Sequence, residues 1–120
     1  MKQNLILSKT FDFALIIISL FKQLQNEREY VISKQVLRSA TSIGANAEEA
    51  IAEQSRKDFI HKMSISLKEA RETYYWLRLL DKSELTSIDI SSHLQKSDEI
   101  ISILSAIVKT TKSRNRSSFF

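Results

Sequence analysis

The stretch ISKQVLRSATSIGANAEEAIAEQSRKDFIHKMSISLKEARETYYWLRLLDK, residues 32–82, decides the fold of this chain. It contains no proline and a single glycine, Gly44, so few of its residues would stop a helix. Ser55 is followed three residues later by Asp58, a spacing at which the serine hydroxyl accepts from a backbone amide and starts a helix. The stretch therefore predicts two long helices, at about 32–52 and 56–82. Their short link favours antiparallel packing side by side.

The segments on either side have the same character. Residues 8–25 and 88–111 carry apolar side chains at the spacing of three to four residues that is typical of helices. Together the segments predict an all-α fold, an antiparallel up-down-up-down four-helix bundle that occupies residues 1–112. We expect residues 113–120 to form a flexible basic tail.

The first and last helices have more apolar surface than one small core requires. In the first helix, Phe11, Leu15 and Ile18 form one stripe, and a second stripe lies beside it. In the last helix, Leu94 and Leu104 are predicted to face the core, and the surplus apolar positions are Ile90, Ile100, Ile103 and Ile107. A small domain cannot cover both faces of such helices, so we expect the chain to assemble with copies of itself.

The net charge of +4 is concentrated at one end of the chain. Residues 1–104 hold 14 basic and 14 acidic residues, whereas residues 105–120 hold no acidic residue and four basic ones, Lys109, Lys112, Arg114 and Arg116. One interpretation is a solvated terminus that aids solubility. The other is an arm that binds RNA or DNA, because each cation placed near a phosphate releases counterions. Four charges bind weakly alone, but self-assembly would multiply them.

Three runs within residues 35–80 are more specific than the general helical pattern: RSATSIGANAEEA at 38–50, SRKDF at 55–59 and KEARETYYWL at 68–77. They resemble the bacterial four-helix bundle proteins known as 23S rRNA intervening-sequence proteins. That family shares an R-S-A-x-S-I-x-x-N-x-x-E-A run, an S-x-x-[DE]-F helix start and a K-E-A-x-E-x-x-Y-W-L run. The resemblance implies an antiparallel four-helix bundle that assembles as a five-fold ring, a homo-pentamer.

A more distant resemblance is to the accessory protein of diversity-generating retroelements, a basic pentamer that assists a reverse transcriptase and nucleic acid. These resemblances imply a non-enzymatic, oligomeric bundle that accompanies RNA or DNA. The body of this chain is neutral, unlike that basic protein. The alternative function is therefore a protein–protein adaptor or scaffold that binds no nucleic acid.

The polar residues of the runs form two stripes at helical spacing. Those on the second helix are Arg38, Ser42, Asn46 and Glu49, and those on the third are Lys62, Glu69, Glu72 and Trp76. If the stripes meet, Arg38 pairs with Glu69 or Glu72, which would fix the register of the two helices. The other interpretation is a ligand or partner site built from the same residues.

Two further expectations concern these stripes. Glu49 is predicted to pair with Lys62 or Lys68. Trp76 and the tyrosines before it either pack in the core or a subunit interface, or stack on RNA bases. Packing is favoured because Trp76 is embedded in a helix.

The chemistry that other bundles carry is missing from this sequence. A di-metal carboxylate site uses about four glutamates and two histidines, whereas Asp58 and His61 form a single acid–histidine pair. There is no cysteine and no glycine-rich phosphate loop. We therefore predict no catalytic, cofactor-binding or metal site, and no cofactor.

The most apolar run, residues 13–21, is nine residues long and too short for the roughly 20 residues that cross a bilayer. A charged helix continues beyond it without a small-residue cleavage site, unlike a signal peptide. We expect a cytoplasmic protein with no membrane partner.

Overall fold

The computed structural model of the chain describes the backbone of residues 2–117 and the side chains of residues 5–114. This part of the chain forms four helices and no strand: α1 at Lys2–Asn26, α2 at Ile32–Ala52, α3 at Arg56–Ser83 and α4 at Ser91–Ser117. The all-α fold class predicted from the sequence is therefore confirmed. None of the described helices has the length and apolar character needed to cross a bilayer.

Each helix packs against its neighbours in the chain, and α1 also packs against α4, so the four helices close around one core. The contact between α2 and α3 is the most extensive. The molecule measures 55 × 23 × 22 Å. Every helix contributes fully buried side chains, among them Phe13, Ile17, Leu20, Ile43, Met63, Leu77, Ile100 and Leu104.

Carboxylate and hydroxyl caps begin two of the helices. The Glu29 carboxylate accepts from the backbone N–H groups of residues 31–33 at 2.6–3.1 Å and so caps α2. The Ser55 hydroxyl accepts from the backbone N–H of Asp58 at 3.1 Å, as its spacing predicts, and caps α3. Both caps satisfy amides that an isolated helix end would leave without partners.

The turns that follow α1 and α3 use left-handed residues that are not glycine. Arg28 has a φ of 64° and Glu84 a φ of 60°. The Glu27 carboxylate joins the two turns, because it accepts from the hydroxyls of Thr86 at 2.5 Å and Ser87 at 3.0 Å. Helix α4 begins at Ser91, three residues after its predicted start at residue 88.

Helix α4 also extends beyond its predicted end at residue 111. It continues through Ser117, so residues 113–117 are helical, and residues 118–120 lie outside the described part. The physical reason is that this end of the chain contains neither glycine nor proline to stop the helix. Helix α1 similarly begins at Lys2 rather than residue 8, because Ile6 is part of the core.

The surplus apolar surface is confined to one of the two helices expected to carry it. Phe11 and Leu15 of α1 are 63% and 53% exposed. Ile90, just before α4, and Ile100 and Ile107 within it are buried, and Ile103 is partly buried, which corrects the prediction that they would be surplus. The correction arises because α4 packs against both α1 and α3, so both of its apolar flanks are covered.

Gly44 allows a close approach between α1 and α2. A Cβ placed on Gly44 would lie 3.2 Å from Oγ1 and 3.4 Å from Cβ of Thr10. Thr10 is itself buried, and its hydroxyl donates to the carbonyl oxygen of Ile6 at 2.7 Å. The single glycine of the chain therefore lies where Thr10 of α1 closely approaches the backbone of α2.

Candidate functional site

The basic residues at the end of α4 are carried on a helix. Lys109, Lys112 and Arg114 are exposed, and the side chain of Arg116 lies outside the described residues. Among the described side chains, none of the first three forms an ion pair with a carboxylate. Within the described residues, this end of the molecule therefore presents cations that are not ion-paired.

A groove of about 470 Å³ lies between α3 and α4 beside these cations. Leu67 and Val108 form its apolar floor, and Arg71, Lys109 and Lys112 line it with positive charge. No carboxylate is among its lining residues, which are completed by Ser105 and Ser113. Sequence reasoning missed Arg71, although its place one helical turn after Leu67 puts it on the same helix face.

A second cavity, of about 260 Å³, lies at the start of α3. Phe59 is its aromatic lining residue, and Arg56 and Arg114 are its cations. The Arg56 guanidinium donates to the carbonyl oxygen of Arg114 at 3.3 Å, which ties the start of α3 to the end of α4. Glu53 is the one carboxylate in the lining of this cavity.

The polar stripes of α2 and α3 meet at Arg38. One guanidinium nitrogen lies 3.4 Å from Glu69 Oε2, and another is ion-paired with Glu72. The indole N–H of Trp76 donates to the same Glu72 oxygen at 2.9 Å. Trp76 is partly buried against the core and meets the Tyr75 ring edge to face at 5.1 Å. Arg38 thus contacts both of the carboxylates that the spacing suggested.

The other motif residues lie farther along the same two helices. Lys62 Nζ lies 3.1 Å from Glu49 Oε1, and Lys68 makes no such pair among the described residues. The Ser42 hydroxyl donates to the Arg38 carbonyl and the Asn46 amide donates to the Ser42 carbonyl, both at 2.8 Å. The motif therefore divides into two ion-paired groups separated by side chains that bond to their own helix.

Buried hydroxyls also connect α2 and α3, and sequence reasoning did not single them out. Thr73 donates to the Ser39 hydroxyl at 2.8 Å, and Ser66 donates to the carbonyl oxygen of Ile43 at 2.7 Å. All three hydroxyl side chains are fully buried. The sequence places these hydroxyls within otherwise apolar helical stripes, and this pattern could have identified them, because a buried polar group needs a hydrogen-bond partner.

His93 and Ser97, one turn apart on α4, have polar atoms without a partner. Nδ1 of His93 and Oγ of Ser97 are buried, and neither makes a hydrogen bond within the described structure. Burial lowers the pKa of His93 below its ordinary value of 6.5, and the nearby Lys96 lowers the pKa further. The neutral imidazole is therefore the form that the folded protein favours.

The acid–histidine pair of the sequence is at the surface. Asp58 and His61 are both exposed. Within the described part of the chain, no three His, Cys, Asp or Glu side chains converge in a way that would hold a metal ion.

Comparison with known proteins gives one family and a solved structure. The family model described as 23S rRNA-intervening sequence protein matches residues 2–106. A crystal structure of a protein of unknown function from the S23 ribosomal protein family of Bacteroides thetaiotaomicron is 50% identical, with a TM-score of 0.86. The alignment covers 91% of this chain and 99% of that one. No curated protein matches the chain. The cations after residue 106 lie beyond the matched span of the family model.

Proposed function

The chain belongs to the 23S rRNA-intervening sequence protein family, and from that premise we propose a non-enzymatic, self-assembling bundle that accompanies RNA or DNA. The observation that carries the nucleic-acid role is the exposed set Lys109, Lys112 and Arg114, which has no carboxylate partner among the described side chains. Cations clustered at one end attract phosphates without regard to base sequence. The role therefore rests on residues of this chain rather than on the family model.

The non-enzymatic character is supported by the way the motif residues use their polar groups. Glu72 accepts from both Arg38 and Trp76, while Ser42 and Asn46 donate to the backbone of their own helix. A general acid or base needs a polar group within reach of a substrate. The motif cluster instead joins α2 to α3, and we assign it a structural role.

The proposed topology is an up-down-up-down bundle. The contacts of α2 with α3 support it, because the residue numbers of the α3 partners decrease as the residue numbers along α2 increase. The successive pairs are Arg38–Glu72, Ile43–Ser66 and Glu49–Lys62. Two helices that run in opposite directions produce this order.

The proposed assembly is a homo-pentamer. The five-fold rings implied by the family resemblance and the exposed apolar side chains of α1, Phe11 and Leu15, support it. Sedimentation equilibrium is expected to give a mass near 5 × 13.8 = 69 kDa. A monomer at micromolar concentration would contradict self-assembly.

Filter binding tests the nucleic-acid role. In the test variant, Lys109, Lys112, Arg114 and Arg116 are replaced by glutamine, which leaves α4 and the core packing of Val108 in place. Binding of RNA or DNA is expected to weaken, and the slope of log K against log salt to flatten by about 3 for a single strand.

A matched control removes the same charge elsewhere, at exposed positions outside the α4 end: Lys22, Lys34, Arg78 and Lys82. This control is expected to keep most of the affinity and slope of the wild type. Equal binding by the test variant and the wild type would reject the nucleic-acid role.

One observation favours the adaptor alternative. Tyr30, Val31 and Leu85 are large apolar side chains that are half or more exposed, and they belong to the two turns joined by Glu27. This apolar tip lies near the start of α4, and Lys109 to Arg114 follow that start by about 27–35 Å along the helix. An adaptor would lose its partner protein in a Val31→Ser, Leu85→Ser variant and keep it in a Tyr75→Ser control. Loss in neither variant would reject the tip as the contact.

A further inference from the structure

The groove and the second cavity lie one after the other along the contact of α3 with α4. The groove combines the apolar Leu67 and Val108 with the cations Arg71, Lys109 and Lys112, and the second cavity combines Phe59 with Arg56 and Arg114. We call this line of residues the α3–α4 track. Its ends on α3, Arg56 and Arg71, are 15 residues or about 22 Å apart.

The charge of the track selects an anion, and its length selects a polymer. Five cations line the track against one carboxylate, Glu53, at its far end. None of the five forms an ion pair with a carboxylate in the part of the chain that the structure describes. A single small anion would meet two or three of these cations, whereas a chain of phosphates about 22 Å long would meet all of them.

The apolar residues of the track distinguish between kinds of nucleic acid. Leu67 and Phe59 are partly exposed between the cations. A duplex presents its phosphates outward and keeps its bases stacked on one another, so it would leave these side chains uncovered. A single strand can place a base on an aromatic ring while its phosphates contact neighbouring cations, and such stacking tolerates any base.

We propose, on the basis of the nucleic-acid role above, that the α3–α4 track binds single-stranded nucleic acid. Phosphates lie along Arg71, Lys109, Lys112 and the arginines of the second cavity, and unpaired bases lie against Leu67 and Phe59. Arg71 and Phe59 distinguish this site from a simple basic tail, because both belong to α3 rather than to the end of α4.

Filter binding at fixed low salt tests the track with three probes of equal length: an oligouridylate, an oligothymidylate and a DNA duplex of 12 base pairs. The full-length wild type is expected to bind both single strands at least about tenfold more tightly than the duplex, since only they can stack. Similar affinity for the two single strands is expected because the track reads phosphates and bases rather than the 2′-hydroxyl.

The variants are Arg71→Gln, Phe59→Leu and Phe59→Trp, with Lys34→Gln as the control that removes one exposed cation from α2. Arg71→Gln is expected to weaken single-strand binding about three- to tenfold, and the control to change it less than twofold. Phe59→Leu should weaken single-strand binding and leave duplex binding unchanged, and Phe59→Trp should preserve it because an aromatic face is retained. Circular dichroism of each variant verifies that the helices are intact.

Several results would overturn the proposal. Duplex binding as tight as single-strand binding would reject the track. The nucleic-acid role would still stand if the variant with glutamine at positions 109, 112, 114 and 116 binds nucleic acid more weakly than the wild type. Wild-type affinity in Arg71→Gln, or equal loss in Lys34→Gln, would also reject the track. Phe59→Trp binding as weakly as Phe59→Leu would show that no base stacks there. Absence of binding to all three probes would reject the nucleic-acid role itself.

Discussion

At the scale of single residues, Glu72 shows what helical spacing can and cannot foresee. The spacing of the polar stripes predicted that Arg38 would meet Glu69 or Glu72, and both contacts are present. The spacing could not indicate that the indole N–H of Trp76 would share the same carboxylate oxygen, because that bond depends on side-chain rotamers. The partner of Arg38 was therefore readable from the sequence, and the detailed network was not.

The unpartnered imidazole of His93 gives a prediction about pH. Its folded pKa lies below 6.5, with burial as the main cause and the charge of Lys96 as the second, while Asp89 acts in the opposite direction. The unfolded chain therefore binds more protons than the folded chain as the pH falls through about 6.5, so His93 reduces stability toward acid pH.

The His93→Leu variant removes this titration and should retain an apolar contact with the core. We expect the difference in melting temperature between variant and wild type to grow in the variant's favour as the pH falls from about 7.5 to about 5. Thermal unfolding followed by circular dichroism measures it at constant ionic strength. A difference that does not vary with pH would contradict the prediction.

At the scale of elements, the positions of the helices along the chain were predictable, but which side of each helix packs against which neighbour was not. Residues 32–52 and 56–82 match α2 and α3 closely, because Ser55 marks a start and the short link leaves little freedom. The isoleucines of α4 were misplaced, because a helix that is apolar on two sides does not reveal from sequence which neighbour covers each side. The groove at the end of α4 likewise depends on Arg71 of a different helix.

The approach of α1 to α2 at Gly44 predicts how that position tolerates substitution. Gly44→Ala gains about 1 kcal/mol of helix propensity, but its Cβ would press on the buried Thr10 at 3.2 Å, so the net change in unfolding free energy should be within about 1 kcal/mol. Gly44→Leu should cost about 3 kcal/mol because the added volume has no space.

Urea unfolding of both Gly44 variants gives the free energies. Ala45→Leu, at the exposed neighbouring position, is the control for the larger side chain and should be nearly neutral. Equal stability of Gly44→Leu and Ala45→Leu would show that α1 does not approach closely.

The left-handed residue that ends α3 gives a second prediction at this scale. Glu84, at a φ of 60°, carries a side chain where glycine is favoured. Glu84→Gly should raise the unfolding free energy by roughly 0.5–1 kcal/mol, because the steric cost of the left-handed conformation is removed. Glu48→Gly, at an exposed position within α2, should lower it by about 1 kcal/mol. Chemical unfolding measures both, and a loss of stability in Glu84→Gly would contradict the argument.

At the scale of the whole molecule, the basic end of α4 is separate from the most exposed apolar side chains. The cations are at the end of α4, the exposed Tyr30, Val31 and Leu85 are at the turns, and the apolar outer face belongs to α1. Charge counting located the basic end correctly, because net charge along a chain requires no knowledge of packing. The apolar tip was not foreseen, because isolated apolar residues in turns have no periodic pattern.

The outer face of α1 predicts the effect of polar substitutions on assembly. Phe11 and Leu15 are more than half exposed, so replacing both by serine should leave the fold of the single chain intact while removing the surface that we propose contacts a sister copy. Sedimentation velocity is expected to show a shift from oligomer to monomer. Tyr75→Ser removes a similarly exposed ring on α3 and is expected to leave the mass unchanged. An unchanged mass in the Phe11→Ser, Leu15→Ser variant would move the interface away from α1.

The bond between Trp76 and Glu72 has a practical consequence for the whole chain. Trp76 is the sole tryptophan of the sequence, so its ultraviolet emission originates from one known place on α3, beside the Glu72 carboxylate that pairs with Arg38 of α2. Opening of that contact would expose the indole to water and shift the emission to longer wavelength. The molecule thus contains an intrinsic optical probe of the environment of α3 beside the Arg38–Glu72 pair, and loss of core packing there can be followed in real time without attaching a dye.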